Sequence, residues 1–227
     1  ETETEDKMIT KFGKGWETQV EKYWSYYENG PYQIISYPEI LTWTKAYGRG
    51  LVELGLKPSH DKLHIYALTS HKWLQTYIAS QFQSLPIVTA YDTLGESGLT
   101  HSLVQTESNA IFTDNVLLGS LVRPLQKAKS IRYIIHSEPI SELDKRNQGK
   151  FYLEAVKAIK QIKEVRPDIE FISYDEVIAK GKESTIAEHL PKPEDLLCIM
   201  YTSGSTGDRS EERRGGHEGI ARWSPYH

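Results

Sequence analysis

Apolar residues recur along this chain in short blocks that alternate between helical and strand-like spacing. The segments 63–68 and 86–90 are continuous apolar runs that predict buried strands. The segment 151–166 is apolar on one face only and predicts an amphipathic helix that ends before Pro167. Further strands are predicted at 110–112, 131–135, 169–172 and 196–201.

Three serines mark predicted helix starts. Ser36 and Ser173 are each followed by a glutamate at the third position, the arrangement of a capping box, and Ser70 precedes an apolar-periodic segment. The helix after Ser36 is expected to stop at Gly55, and the helix after Ser173 is expected to stop at Gly181. The helix after Ser70 is expected to bury four apolar side chains: Trp73, Leu74, Tyr77 and Ile78.

Strands that alternate with helices predict an α/β fold, with a parallel or mixed sheet flanked by helices. Both the odd and the even positions of the segment 196–201 are apolar. This pattern predicts a strand that is covered on both faces. The chain has 227 residues, of which 38% are hydrophobic, enough for one sizeable core. No apolar run approaches the roughly 18 residues that a membrane-spanning helix needs.

The formal charge and the cysteine content exclude some classes of function. A net charge of -4 argues against a nucleic-acid-binding protein, because such proteins cluster lysine and arginine. The single cysteine excludes an intramolecular disulfide, and no secretory leader is apparent. An intracellular, cytoplasmic location is therefore expected, although the chain begins with glutamate and gives no information on any upstream signal.

The composition changes abruptly at Arg209. The segment 209–227 reads RSEERRGGHEGIARWSPYH and has no apolar periodicity. It resembles the translation of a common sequencing-adapter oligonucleotide, so we interpret 209–227 as a non-native tail and 1–208 as the domain sequence. The alternative is a genuine divergent loop.

The most distinctive motif is a run of small hydroxyl residues and glycines directly after the predicted strand 196–201. Glycine allows the backbone to approach a ligand closely, and main-chain amides and hydroxyl groups can donate to anionic oxygens, so the run suits a polyphosphate. The spacing differs from that of a Walker A loop, and the alternative for such a run is a flexible linker. The candidate binding residues are Thr202, Ser203, Gly204, Ser205, Thr206 and Gly207.

The sequence YTSGSTG resembles the first half of the phosphate-loop signature of AMP-forming acyl- and aryl-CoA synthetases, luciferases and peptide-synthetase adenylation domains. Upstream, LHIYALTSHKWL, PIVTAYDTLGESGLTHSLVQTESNAIFTD, VRPDIEFISYDEV and PKPEDLLCIM resemble the fungal long-chain fatty acid–CoA ligases. The likeness covers 16–208. It implies that the chain is part of the large N-terminal domain of an adenylate-forming ligase.

The resemblance also implies an activity. A fatty acid would be activated with ATP to acyl-AMP and then transferred to coenzyme A, with Mg²⁺ screening the phosphates and residues 202–207 gripping the β- and γ-phosphates. It further implies peripheral association of the whole enzyme with the endoplasmic reticulum or lipid droplets. Within the chain no catalytic or metal-binding residue is assigned.

Two departures from the family pattern limit what this chain can do alone. The family continues after the loop with Pro-Lys-Gly, whereas this chain has Arg209-Ser210-Glu211. The family's magnesium-binding glutamate, ribose-binding aspartate and mobile C-terminal domain would lie downstream, so the chain alone is expected to be inactive. The alternatives are a non-catalytic nucleotide- or acyl-binding module and an adenylation domain for another carboxylic acid.

Several other residues admit a functional and a structural interpretation. His101 has no identifiable nucleophile or carboxylate partner in the sequence, and Cys198 lies in an apolar strand, so structural roles are favoured for both. Lys157, Lys160 and Lys163 form a basic face on the predicted helix 151–166. That face is either solvated, which is favoured, or a contact for anionic lipid headgroups.

Overall fold

The computed structural model describes residues 2–13, 16–27, 31–32, 34–144 and 149–201. The described chain forms an α/β fold in which helices cover both faces of a parallel sheet. Its strands are β1 (Thr2–Gly13), β2 (Trp16–Tyr27), β3 (Leu63–Tyr66), β4 (Ile87–Thr89), β5 (Ala110–Thr113), β6 (Tyr133–His136), β7 (Glu170–Ser173) and β8 (Cys198–Met200). Its helices are α1 (Tyr37–Glu53), α2 (His71–Gln81), α3 (Glu96–Thr106), α4 (Leu118–Leu121), α5 (Pro124–Lys127), α6 (Lys150–Val165) and α7 (Tyr174–Glu183), with a 3₁₀ turn at Asn115–Leu117.

Six strands form the main sheet in the order β7-β6-β5-β3-β4-β8, and every neighbouring pair is parallel. The sequence predicted a parallel or mixed sheet, and the parallel alternative is confirmed. β1 and β2, which the sequence analysis did not predict, pair antiparallel as a separate two-stranded unit.

Side chains alternate between two cores, one on each face of the sheet. On β3, Leu63 and Ile65 lie in the core beneath α1, α2 and α7, while Tyr66 lies in the core beneath α3, α4, α5 and α6. Strands covered on both faces must be apolar on both faces, which explains the continuous apolar runs.

All three predicted helix starts are capped, and at α2 the Ser70 hydroxyl accepts the Trp73 main-chain N–H at 3.2 Å. The carboxylate of Glu39 accepts the Ser36 main-chain N–H at 2.9 Å at the start of α1. At the start of α7, Glu176 accepts from the Ser173 N–H at 2.7 Å, and the Glu176 N–H donates to the Ser173 hydroxyl at 3.2 Å. Both ends of a capping box are therefore present at α7.

The predicted stop at Gly181 is wrong. α7 continues to Glu183, and Gly181 lies where α7 crosses α1. A Cβ at Gly181 would overlap the main-chain oxygen of Ala46. Glycine is there for close helix packing rather than for helix termination, whereas Gly55, with φ of 90°, does follow the end of α1 as predicted.

The prediction for the buried face of α2 is wrong for two of its four residues. Trp73 and Tyr77 pack against the core, but Leu74 is 53% exposed and Ile78 is 39% exposed. The fully buried positions of α2 are the small residues Thr76, Ala79 and Ser80, because α1 approaches closely. A Cβ added at Gly48 of α1 would lie 2.6 Å from the Ala79 main-chain oxygen.

β8 was also expected to be covered on both faces, and that prediction is wrong. It lies at one edge of the main sheet, where its described partner is β4. Cys198 and Ile199 are half-buried, and Met200 is 73% exposed. The apolar pattern of this segment is therefore not satisfied by the described residues.

Candidate functional site

The carboxyl ends of the parallel strands meet at one edge of the sheet, and the candidate site lies there. The chain passes from β3 to β4 on one side and then returns to build β5, β6 and β7 on the other side. The segments that follow β3 and β5 leave towards opposite faces, since α2 packs in one core and α4 in the other. In open α/β sheets, ligands bind in the crevice that such a reversal creates.

The hydroxyl- and glycine-rich run follows directly after β8 in the sequence, and the carboxyl end of β8 lies with those of the other parallel strands. Its three residues pair with Ile87–Thr89 of β4, and the Tyr201 N–H donates to the Thr89 main-chain oxygen at 3.2 Å. Tyr201 is thus held at the sheet, and residue 202 follows directly. The predicted binding residues Thr202, Ser203, Gly204, Ser205, Thr206 and Gly207 lie outside the described residues, as does the segment 209–227.

Two side chains of α3 contact Tyr201. The Tyr201 hydroxyl donates to Gln105 Oε1 at 2.5 Å, and the His101 ring meets the Tyr201 ring edge-on with centroids 6.1 Å apart. Partial burial raises the pKa of the Tyr201 phenol, so it remains a hydrogen-bond donor at neutral pH. His101 is exposed, and the contact described for it is this aromatic ring, as the favoured structural interpretation expects.

Cys198 is half-buried rather than fully buried. Burial raises the pKa of its thiol, although a hydrogen bond with Thr89 acts in the opposite direction. A raised thiol pKa disfavours the thiolate form that a nucleophile requires, so the structural interpretation of Cys198 is favoured.

A cavity of about 450 Å³ opens beside the carboxyl ends of β3 and β4. Tyr66 and Asp92 line it, and the Tyr66 hydroxyl donates to the Asp92 main-chain oxygen at 3.1 Å. At its rim, Arg123 and Glu96 form an ion pair at 3.0 Å. The sequence predicted only a turn at 91–95 and not this cavity. The signal available was Asp92, a polar residue three positions after the end of β4.

A second cavity, of about 330 Å³, lies at the ends of β3, β5 and β6. Asp114 lies at its wall, where Oδ2 accepts the Leu68 main-chain N–H at 2.7 Å. This bond ties the segment after β3 to the segment after β5 at the point of reversal. Within the described residues, no group of three or more His, Cys, Asp or Glu side chains is placed to hold a metal ion.

The basic face predicted on α6 is smaller than expected. Lys163 Nζ donates to the Ile169 main-chain oxygen at 2.5 Å and lies 5.6 Å from the centre of the Phe171 ring. Lys163 therefore joins α6 to β7. Lys157 and Lys160 are exposed, and Leu153 and Val156 on the same side of the helix are 64% and 41% exposed.

None of the described helices combines the length and the apolar character that crossing a membrane requires.

Comparison with known proteins places this geometry in a family. Residues 15–209 match the family model described as AMP-binding enzyme. The chain is 54% identical over 211 residues to long-chain-fatty-acid–CoA ligase 1 of Saccharomyces cerevisiae and 52% identical over 204 residues to ligase 4 of the same yeast. These matches cover 92% and 88% of this chain but only 30% and 29% of the two relatives.

The fold is shared with a solved structure, the adenylation domain of a carboxylate reductase from Mycobacterium chelonae. The TM-score is 0.64 at 19% identity, over 90% of this chain and 30% of that one. Because the family model matches most of the chain and the sheet has the architecture of an adenylation domain, the chain belongs to the AMP-binding enzyme family.

Proposed function

We propose that the whole protein containing this chain is a long-chain fatty acid–CoA ligase that works through an acyl-adenylate. The curated relatives with 54% and 52% identity carry that name. The chain spans about 30% of their length, so the activity belongs to a longer polypeptide.

One observation carries the proposal. A parallel strand, β8, ends at the carboxyl edge of the sheet, and its next residues are the run Thr202–Gly207. Strand carboxyl ends are where open α/β sheets bind ligands. Amides and hydroxyls in a glycine-rich segment at that edge suit the oxygens of a triphosphate.

The proposed reaction has two steps. A carboxylate oxygen of the fatty acid attacks the α-phosphorus of ATP, the bond from that phosphorus to the pyrophosphate oxygen breaks, and acyl-AMP forms. The sulfur of coenzyme A then attacks the acyl carbon, AMP leaves, and the thiol proton passes to solvent. The first step is needed because a carboxylate lacks a good leaving group.

The role proposed for this chain is to bind and orient the β- and γ-phosphates through residues 202–207. Orientation and charge stabilisation supply most of the catalysis in phosphoryl and nucleotidyl transfer. Mg²⁺ would enter with ATP and screen the phosphate charge. Since the described residues offer no cluster of metal ligands, we assign no residue of this chain to the metal.

The test is an assay of the full-length protein with labelled palmitate, ATP, Mg²⁺ and coenzyme A. The proposal expects equal amounts of palmitoyl-CoA, AMP and pyrophosphate. Benzoate and amino acids serve as competing substrates, because adenylation domains for other acids share this fold. Activity with one of these but not with palmitate would favour the rival substrate class, and nucleotide binding without any product would favour a non-catalytic module.

We also propose that the native sequence departs from this chain after Asp208. The family match ends at residue 209, which supports the interpretation of 209–227 as foreign. A transcript that continues after codon 208 with residues of the Pro-Lys-Gly type agrees with this proposal. A transcript that encodes 209–227 contradicts it.

We propose finally that the whole enzyme is intracellular and peripheral on membranes or lipid droplets, with α6 contributing to the contact. Leu153 and Val156 are exposed beside Lys157 and Lys160, a combination suited to anionic lipid surfaces. Liposome sedimentation of the full-length protein should weaken in the variant K157E/K160E. Charge reversal at Lys180 and Lys182 of α7 provides a control, and unchanged sedimentation of K157E/K160E would contradict the contribution of α6.

A further inference from the structure

The second cavity is separated from β8 by β4. It opens where the segments that follow β3, β5 and β6 meet, whereas β8 lies at the edge of the sheet beyond β4. Its volume of about 330 Å³ is at the lower end of the range of roughly 300–1,000 Å³ that small-molecule sites occupy. A cavity of this size suits a small ligand rather than a long acyl chain.

One part of the cavity wall is apolar. Ile140, Phe151 and Ala155 line it, and Ile140 and Ala155 also belong to the core that α6 covers. Leu68 and Val116 line the part that meets solvent, where they are 46% and 48% exposed. An apolar group that entered the cavity would remove these side chains from water, which is favourable.

The charged side chains of the wall are all acidic. They are Asp114, Glu138 and Asp144, and none of the described residues that line the cavity is lysine, arginine or histidine. Asp114 is half-buried, and its Oδ2 accepts the Leu68 main-chain N–H at 2.7 Å, which leaves Oδ1 available to a further donor. A carboxylate or phosphate would be repelled here, because like charges at close range destabilise a complex, whereas a cation would be attracted.

Hydrogen bonds hold the wall in place without a ligand. Asn115 Nδ2 donates to the Glu138 main-chain oxygen at 3.1 Å, and the Ser137 N–H donates to the Thr113 main-chain oxygen at 2.9 Å. Lys72 Nζ donates to the Ser137 main-chain oxygen at 2.5 Å. These bonds join the segments after β5 and β6 to each other and to α2, so a ligand would meet a preformed cavity and lose little affinity to reorganisation.

We propose that this cavity binds a small molecule that carries an ammonium group on an apolar body, such as a phenylalkylamine. The ammonium group donates a charge-assisted hydrogen bond to Asp114, and the apolar body lies against Ile140, Phe151 and Ala155. Fatty acids, ATP and coenzyme A carry carboxylate or phosphate groups, so the ligand differs in charge from all three. The inference goes beyond the proposed function and does not depend on it.

The test is calorimetric titration of the full-length protein with phenethylammonium. Hydrocinnamate, which has a similar apolar body and the opposite charge, should not displace it. D114N keeps an oxygen for the Leu68 N–H but removes the negative charge, so it should weaken the binding of phenethylammonium about tenfold. V116F places a larger side chain at the exposed rim of the cavity and should weaken binding at least about threefold by occupying the space of the ligand.

E164Q is the matched control. Glu164 is exposed on α6 and does not line the cavity, so loss of its charge should leave binding unchanged. Thermal unfolding midpoints show whether each variant folds, and V116F decides if D114N does not. The inference is overturned if the unmodified protein does not bind phenethylammonium, if hydrocinnamate displaces it, or if folded D114N and V116F bind it unchanged. Since the titration contains neither ATP nor fatty acid, its failure leaves the proposed ligase reaction standing.

Discussion

Arg166 is a buried cation whose partners are mainly main-chain oxygens. It is 4% exposed, and its guanidinium donates to Ala128 and Ile131 at 2.7 Å each and to Leu125 at 3.2 Å. It also pairs with Asp168 at 2.6 Å, which lowers the pKa of that carboxyl to about 2. One side chain thus joins the end of α6 to the segment between α5 and β6.

Replacement of Arg166 by methionine should lower the free energy of unfolding by about 3 kcal/mol, because buried carbonyl groups lose their donors. Lysine should recover little, since an ammonium group lacks the planar fork that reaches several oxygens. Urea titration measures both. R123M is the control: Arg123 forms an exposed ion pair, and its loss should cost less than about 1 kcal/mol. Equal costs for R166M and R123M would contradict this account.

His64 makes stability sensitive to acid. It is fully buried on β3 with the Ser108 and Ser102 hydroxyls at 3.4 and 3.5 Å, and burial lowers its pKa from 6.5 to about 3. The folded protein therefore keeps His64 neutral at a pH at which the unfolded chain takes up a proton. Stability is fully present above the unfolded pKa and falls as the pH drops from about 6.5 towards 3.

Within that window, His64 should lower the free energy of unfolding by at most about 1.4 kcal/mol for each unit by which the pH falls. In H64Q, the loss of unfolding free energy between about pH 7 and pH 4 should be smaller than in the unmodified protein. H71Q, at an exposed position, should retain the full acid sensitivity. Parallel pH profiles for H64Q and the unmodified protein would show that His64 is not the group responsible.

At the scale of elements, helix packing depends on glycine where two main chains meet. Gly50 and Gly181 face each other across α1 and α7, and Arg49 Nε donates to the Gly181 oxygen at 3.0 Å. Helix propensity alone favours alanine over glycine by about 1 kcal/mol. The close approach of the α1 and α7 main chains predicts the opposite, namely that alanine in place of Gly181 lowers the free energy of unfolding.

G181A should destabilise the chain by about 2 kcal/mol, because a methyl group would force the helices apart. G119A is the matched control, since Gly119 also lies in a helix and nothing lies within 4 Å of an added Cβ. It should be neutral or slightly stabilising by calorimetry. A stabilising G181A would mean that α1 and α7 are less closely packed than described.

The sequence predicted elements well where a buried run or a capping signal was strong. The strands from β3 to β7 and the helices α1, α2, α6 and α7 follow those signals. α3 was missed because its sequence, ESGLTHSLVQT, is poor in strong helix formers, although Leu99, Leu103 and Thr106 recur at helical spacing. α4 and α5 have four residues each, too short for periodicity to be read.

For the candidate site, the sequence predicted the loop but missed what surrounds it. A run of small hydroxyl residues and glycines can be recognised from the sequence alone. The contacts of Tyr201 with Gln105 and His101 join positions about 100 residues apart, and no local pattern reports them. His101 was considered for acid-base chemistry, which its exposed aromatic contact does not support.

Several apolar side chains on the surface of the described residues were expected to be buried, and we expect the rest of a longer protein to cover them. Leu74 and Ile78 of α2, and Leu197 and Met200 beside or in β8, were predicted to be buried and are not. The chain spans about 30% of the length of its curated relatives. In a protein of that length, further polypeptide is available to cover these side chains.

The double variant L74Q/I78Q tests this explanation. In the 227-residue chain it should change the free energy of unfolding by less than about 0.5 kcal/mol, as expected for surface positions. In the full-length protein the same substitutions should cost about 2 kcal/mol or more, because polar groups would enter an interior contact. Chemical denaturation of both proteins measures the difference, and equal effects would contradict the explanation.

We propose that the residues leaving β8 bind the triphosphate of ATP while a fatty acid is adenylated. The most direct measurement is palmitate-dependent exchange of labelled pyrophosphate into ATP by the full-length protein and its variant S205A/T206A. We predict exchange in the unmodified protein and a fall of about 100-fold or more in the variant, with thermal stability retained. Absence of exchange in the unmodified protein, or full exchange in S205A/T206A, would contradict the claim.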